Sequence, residues 1–478
     1  MAGVGFELRR LTRSDDLAGL VRAYGHASVV SGGPWLMTVL AIAAVTWFVV
    51  GFDTMRELEL FRTILIYNFA FSLTLTSPVA LVTTRFLSDQ IYLKNVERAP
   101  GMLLGSLIVN FTLQAPLAAA FYAFVPDLPG PLAVLSVINY LVIAALWQVT
   151  VFLTALKDYR TVTLAFAGGI AVAVAASVVF GFPYGTFGLL GGFTAGFALI
   201  VFVIIARILA EYRHPLKRPM AFLAYCRPYW ELPIAGLLYA AAIWADKWIM
   251  WFAPDRVLTP EGLAIHPFYD SAMFFAYLTI VPSLALFMIM TETSFFERYV
   301  AFYRTIQRHG TYAQILGHQK EIVDTLAGSL RNLIVLQGTV SFAAIVLAPQ
   351  LLGAFGIAYH HIGMFRIGVL GALFHALFLF AMIILTYFDL RRDMVVATAT
   401  FLGANALFTL GALELGFPYY GYGYFLAALI AACVALGIVS VRLAKLPYLT
   451  FVVCNPSVGG ADRKRPEHGL APLDIVRS

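Results

Sequence analysis

Apolar runs long enough to cross a lipid bilayer recur along the whole chain, and this pattern most narrows what it can fold into. They fall near residues 29–51, 62–84, 102–124, 131–156, 161–182 and 185–206, and again near 232–252, 269–291, 332–353, 367–388, 394–415 and 422–441. A helix rising 1.5 Å per residue needs about 20 apolar residues to span the hydrocarbon layer. Lipid also offers no partner to an unpaired peptide group, so each run must close its own hydrogen bonds as a helix. With 61% of residues hydrophobic and 12% charged, the chain carries more apolar surface than a soluble core could hide. The expectation is an all-α polytopic membrane protein with about 12 transmembrane helices.

Orientation follows from the basic residues of the connecting segments. Of 32 Lys and Arg, 27 fall on the side that holds both termini, and only Arg56, Arg62, Arg256 and Arg366 on the other; Lys247 lies inside a run. Both termini are therefore expected in the cytoplasm. The first twenty residues are polar and basic, so a cleavable secretion signal is not expected. Ser14 can cap a short amphipathic helix with Leu17, Leu20, Val21 and Tyr24 on one face.

Two stretches resemble each other: GFPYGTFGLLGGFTAGF at 181–197 and GFPYYGYGYFLAALIAA at 416–432, offset by 235 residues. Each bridges the fifth and sixth runs of its half on the outer side. Gly188, Gly192 and Gly196 match Gly423, Ala427 and Ala431, and small residues at every fourth position let membrane helices approach closely. Asp158-Tyr159-Arg160 and Asp389-Leu390-Arg391 echo one another in equivalent inner loops. The reading is two pseudo-symmetric six-helix lobes in parallel repeat, with a substrate path between them. In these terms residues 1–28 form a cytoplasmic amphipathic segment, 29–210 the first lobe, 211–231 a cytoplasmic linker and 232–445 the second lobe. Residues 446–478 form a cytoplasmic tail, partly disordered.

Charges inside such runs are costly and point to function. Asp246 and Lys247 stand together in IWADKWIMWF, among Trp244, Trp248 and Trp251, which suit an interfacial aromatic belt. Neighbouring helix positions point about 100° apart, so the two are not expected to be simply a mutual salt bridge. The lysine is expected to snorkel towards the headgroups, and the aspartate to need a partner, water or a proton. Either they contact substrate or lock a gate, or they anchor and cap the helix. The second run carries Asn68, Ser72 and Thr76 at i, i+4, i+8 ahead of a kink at Pro78. The third carries Ser106, Asn110 and Gln114 ahead of Pro116. These stripes could line a path for sugar hydroxyls or serve as interhelical hydrogen-bonding glue. Thr398, Asn405 and Thr409 form a weaker stripe, and His375 reads as a satisfied structural histidine. Glu292 lies at the inner end of the eighth run and joins the candidate gate residues.

Beyond it, Phe295, Tyr299, Phe302 and Ile306 recur at helical spacing, and after Gly310 a second pattern includes Ile315, Leu316 and Val323. They predict a cytoplasmic helical hairpin over 292–331 that lies in the headgroup layer or docks a partner. The motifs of an enzyme are missing: no G-x-x-x-x-G-K-[ST], no H-E-x-x-H, no D-x-D. Cys226, Cys433 and Cys454 are widely spaced and indicate neither disulfides nor zinc. No cofactor or metal is expected, nor a nucleic-acid partner, and transport is favoured over catalysis.

The combination of GVGFELRRL, SGGPW, IWADKWIMWF and TETSFFERY resembles the PelG family over about residues 1–450, although Gly33 stands where that family's first-run motif leads one to expect proline. Such proteins resemble the superfamily of multidrug and oligosaccharidyl-lipid/polysaccharide exporters. The resemblance implies an inner-membrane exporter of an amino-sugar exopolysaccharide for biofilm matrix. It also implies a PelF-type cytoplasmic glycosyltransferase and PelD- and PelE-type membrane proteins as partners. Against this stand an ion-coupled flippase of lipid-linked oligosaccharides or multidrug antiporter working by alternating access, and a non-transporting scaffold of a polysaccharide synthase.

Overall fold

The computed structural model describes residues 38–49, 55–154, 159–354 and 361–453. The segment expected to be capped by Ser14, SGGPW and the tail after Val453 lie outside the described residues, as does Asp158 of the first inner-loop echo. The chain is a helical membrane protein, and it divides into two compact units. One holds the described residues up to Ala240 together with Pro254–Ile265; the other holds Ala241–Ala253 and the described residues from His266 onward.

In the first unit, α1 (Thr38–Val49) is followed by α2 (Met55–Tyr92), α3 (Ala99–Phe124), α4 (Gly130–Thr150) and α5 (Tyr159–Glu211). Helix α4 packs against α2, α3 and α5, and the Arg62 guanidinium donates to Thr46 Oγ1 at 2.8 Å, tying α2 to α1. Pro78 and Pro116 lie inside α2 and α3. Helix α6 (Glu231–Met250) is divided between the units at Ala240. The loop after it folds into a two-stranded antiparallel hairpin, β1 (Val257–Leu258) with β2 (Ala264–Ile265). Tyr67 Oη donates to the Ala264 carbonyl at 2.8 Å, and Arg56 pairs with Glu261 at 3.3 Å, so this loop is seated on the first unit.

The second unit continues with α7 (Pro267–Leu278) and α8 (Val281–Met290), separated because Pro282 can start a helix but not continue one. After a π-helical turn, Thr291–Phe295, come α9 (Phe296–Gln307) and α10 (Tyr312–Val346), then α11 (Ala348–Ala354), α12 (His361–Tyr387), α13 (Arg391–Leu415) and α14 (Tyr422–Ala444). Helices α12, α13 and α14 pack together, with α7 against α12.

Among the described residues nine helices are long and apolar enough to cross a membrane, so the expected count of twelve is not established. Two expected spans, 161–182 and 185–206, lie in α5, whose path breaks at Gly185 with φ 54° and ψ −135°. The related GFPY stretch also turns the chain at glycines, though at other positions of the motif, with Gly416 at φ 90° and Gly421 at φ 93° between α13 and α14. Side chains with a Cβ rarely adopt such angles, which explains Gly185, Gly416 and Gly421. The small-residue stripes lie where helices meet. A Cβ on Gly192 would come within 2.2 Å of Ser177 N, and one on Gly423 within 2.4 Å of Thr409 Oγ1.

Over 292–331, where a hairpin is expected, the chain forms the π-helical turn, α9 and the first turns of α10. His309, at φ 54°, turns the chain. Thr311 then caps α10 in a reciprocal capping box with Gln314. Its second arm does not stop near 331 but continues without a break into the expected ninth span, making one helix of 35 residues. Nothing in the sequence between Leu330 and Leu333 is a helix breaker, so no boundary could form there.

Candidate functional site

Two buried polar clusters correspond to the residues singled out above, one in each unit. In the first unit Asn68, Ser72, Ser106, Asn110 and Gln114 are all buried. Asn68 Nδ2 donates to Asn139 Oδ1 at 2.8 Å and to the Ser136 carbonyl at 3.1 Å, while its Oδ1 accepts from Tyr122 Oη at 2.6 Å. Asn110 Nδ2 donates to the Ala144 carbonyl at 3.1 Å. Gln114 Nε2 donates to Thr76 Oγ1 at 2.9 Å and to Asn110 Oδ1, and its Oε1 accepts from Tyr140 Oη at 2.8 Å. Asn139 Nδ2 passes the chain on to Thr194 Oγ1 at 2.9 Å. Ser72 and Ser106 bond carbonyls of their own helices.

In this conformation the donors and acceptors of Asn68, Asn110 and Gln114 are satisfied by one another, by Thr76 and Tyr122, and by α4, and a buried amide left without a partner would cost about 1–3 kcal/mol. The partners Asn139, Ser136 and Tyr140 were overlooked, although their i, i+3, i+4 spacing in VLSVINYLV marks a polar face on α4.

The second cluster is charged. Asp246 is fully buried and Lys247 nearly so. Lys247 Nζ lies 3.2 Å and 3.1 Å from the two Asp246 carboxylate oxygens. The expectation that these neighbours are not simply a mutual salt bridge is therefore corrected: they are ion-paired with each other. The 100° separation holds for their Cβ atoms, but four methylenes let the ammonium curl back. Nor does Lys247 snorkel. Its Nζ donates to the Ile243 carbonyl at 3.3 Å and sits 4.5 Å from the centre of the Tyr277 ring and 5.7 Å from that of Trp244, so cation–π attraction replaces part of its lost hydration.

Asp246 also accepts from Tyr269 Oη at 2.8 Å and from Asn405 Nδ2 at 3.4 Å. Asn405 in turn donates to the Ala242 carbonyl and accepts from Thr409. Around this core Tyr277 stacks at 4.9 Å on Tyr424, whose hydroxyl is 2.9 Å from His375 Nδ1. Trp251 is buried rather than part of a belt, and donates to Asp270 Oδ2 at 3.3 Å. Isolated ions buried in a protein cost several kcal/mol each; a carboxylate with three donors and an ammonium with a carbonyl and two ring faces offset that cost. Tyr269 and Tyr277 were not foreseen. Their spacing of eight residues on α7 was the available signal, but aromatic residues in a membrane helix ordinarily read as packing.

The candidate docking residues fall into two groups. Phe295, Tyr299, Phe302 and Ile315 are buried in the chain's own core. Tyr299 Oη donates to the Tyr387 carbonyl at 3.2 Å at the end of α12, and Gln319 Nε2 donates to the Leu443 and Ala444 carbonyls at 2.8 and 3.1 Å. The hairpin thereby caps two helix ends whose last carbonyls lack intrahelical partners. Leu316 and Val323 remain exposed on α10, together with Tyr312. Glu292 lies on the π-helical turn, and its side chain is outside the described residues. Among the described residues no group of three or more His, Cys, Asp or Glu is placed to hold a metal ion.

The fold has counterparts among solved structures. A multidrug-resistance transporter of the MATE family and MOP superfamily, solved outward-facing, matches with a TM-score of 0.64 at 15% identity, covering 94% of this chain and 99% of its own. A MOP superfamily transporter from Pyrococcus furiosus matches with a TM-score of 0.64 at 14% identity, covering 94% and 99%. An inward-facing MATE transporter matches with a TM-score of 0.56 at 14% identity, covering 89% and 95%. The chain shares the multi-pass helical fold of these proteins. The family model PelG, described as "Putative exopolysaccharide Exporter (EPS-E)", matches residues 1–451, and the chain belongs to that family. No curated protein matches the chain.

Proposed function

We propose that this chain carries a Pel-type exopolysaccharide, built of amino sugars, outward across the inner membrane for deposition in a biofilm matrix. It works beside a PelF-type cytoplasmic glycosyltransferase and PelD- and PelE-type membrane proteins. The observation that carries this reading is the family match along residues 1–451, supported by a transporter architecture. In this reading the Asp246–Lys247 pair is a lock whose opening accompanies passage of substrate. Partner contact on the hairpin falls to Leu316 and Val323.

A deletion strain complemented with this chain tests the proposal. The strain should accumulate polymer inside and release none, and the chain should restore release; polymer secreted at the parental level without it overturns the reading. A second reading, an ion-coupled flippase of lipid-linked oligosaccharides or an antiporter working by alternating access, draws support from the buried Asp246 carboxylate. An Asp246→Asn protein present at normal level that exports at full rate would rule out coupling through that group.

A further inference from the structure

We infer that the inner-side connection between α2 and α3, together with the linker after α5, forms a binding site for a phosphate-bearing anion. The favoured source is the headgroup of an anionic phospholipid in the cytoplasmic leaflet. A cavity of about 450 Å³ is lined by Asn95, Glu97, Arg98, Lys217 and Arg218. Glu97 is its one acid, and Lys217 approaches it at 3.7 Å, so the cavity keeps a net positive charge. Among the described residues neither Arg98 nor Arg218 has a carboxylate partner. An arginine fork without an internal anion suits the tetrahedral oxygens of phosphate.

Three observations separate this cavity from an ordinary solvated basic loop. The linker is pinned to α3 by two glycines: a Cβ on Gly101 would lie 2.3 Å from the Lys217 carbonyl oxygen, and one on Gly105 1.9 Å from that of Pro219. Only bare backbone allows so close an approach, and it fixes Lys217 and Arg218 beside Arg98. Arg218 itself is held at φ 45°, and Lys94, one residue before the cavity wall, at φ 55°. Such backbone is uncommon for residues with a Cβ and clusters at functional sites. Finally, the first turn of α3 adjoins the cavity at Arg98 and presents the positive end of a 26-residue helix. By the distribution of Lys and Arg this end of the unit is the cytoplasmic one, where anionic headgroups attract clustered basic residues.

The test uses the full chain purified in a neutral detergent. Phosphatidylglycerol, phosphatidylcholine and glycerol 1-phosphate are each titrated while bound adducts are counted by native mass spectrometry. Phosphatidylglycerol should bind at least five-fold more tightly than phosphatidylcholine, and the preference should vanish in Arg98→Gln/Arg218→Gln. Arg391→Gln/Arg392→Gln, equal in charge removed but remote in sequence, should keep it. Competition by glycerol 1-phosphate at concentrations similar to the lipid would uphold the site and assign it a soluble ligand; weak competition assigns it the lipid. Unchanged lipid preference in the Arg98/Arg218 variant, with its thermal unfolding as in the parent, overturns the inference, as does equal loss in the Arg391/Arg392 control.

Discussion

Asp246 and Lys247 share one environment, so neither can be altered alone without leaving an unpaired buried charge. Removing one partner of a buried pair costs about 3–5 kcal/mol. Asp246→Asn and Lys247→Met should therefore each lower the unfolding temperature of the purified chain markedly, while the double variant should recover a large part of the loss. Additive losses, measured as a double-mutant cycle, would show that the pair is not coupled. In the neutral cluster, Asn68→Leu strands Tyr122 Oη and Asn139 Oδ1. The effect should be about 1–3 kcal/mol per orphaned group, read as a lower melting temperature and less protein in the membrane. Export per molecule should fall far less than protein level. The sequence marks these residues as unusual without naming their partners. Residue type and spacing reveal that an amide is buried on a helix face, but they do not reveal which neighbouring helix answers it. Lys247 shows the complementary failure, since helix geometry fixes where a side chain starts and a flexible stem decides where it ends.

Elements were more legible than contacts. The GFPY stretches announced two turns, and positive φ at Gly185, Gly416 and Gly421 supplies the reason. The small-residue stripe can be tested within itself. A Cβ on Gly192 meets backbone at 2.2 Å, whereas one on Gly191 meets only Leu135 Cδ2 at 3.8 Å. Gly192→Val should destabilise the chain by about 1–3 kcal/mol or more, as overpacking does, and Gly191→Val should be close to neutral; equal melting temperatures would refute the close-approach account. The hairpin was legible as a pair of amphipathic helices, but what covers its apolar face was not. An amphipathic pattern reports that a face is covered without naming the cover, and here the ends of α12 and α14 provide it. Tyr299→Phe should uncap the Tyr387 carbonyl, costing about 1 kcal/mol, while Tyr299→Ala should cost about 3–5 kcal/mol, both measurable by thermal unfolding. A small loss for Tyr299→Ala would return that ring to the surface.

At the scale of the molecule, the helical membrane class was readable from hydropathy, because lipid permits few solutions. The architecture persists in solved transporters at 14–15% identity, as expected where helix length and apolarity, rather than particular side chains, specify the fold. The number of crossings was less legible: a run of apolar residues does not disclose whether a glycine divides it or a helix runs on past its edge. Helix α10 shows the second case. At 1.5 Å per residue its 35 residues make a rod about 52 Å long. Its first turns are clamped by Gln319 to the last carbonyls of α14, and the helix runs on to Val346 with no joint along the way. A tug or twist applied near Leu316 would thus be delivered to its far, more apolar end, as a crankshaft delivers torque that a slack tether would lose.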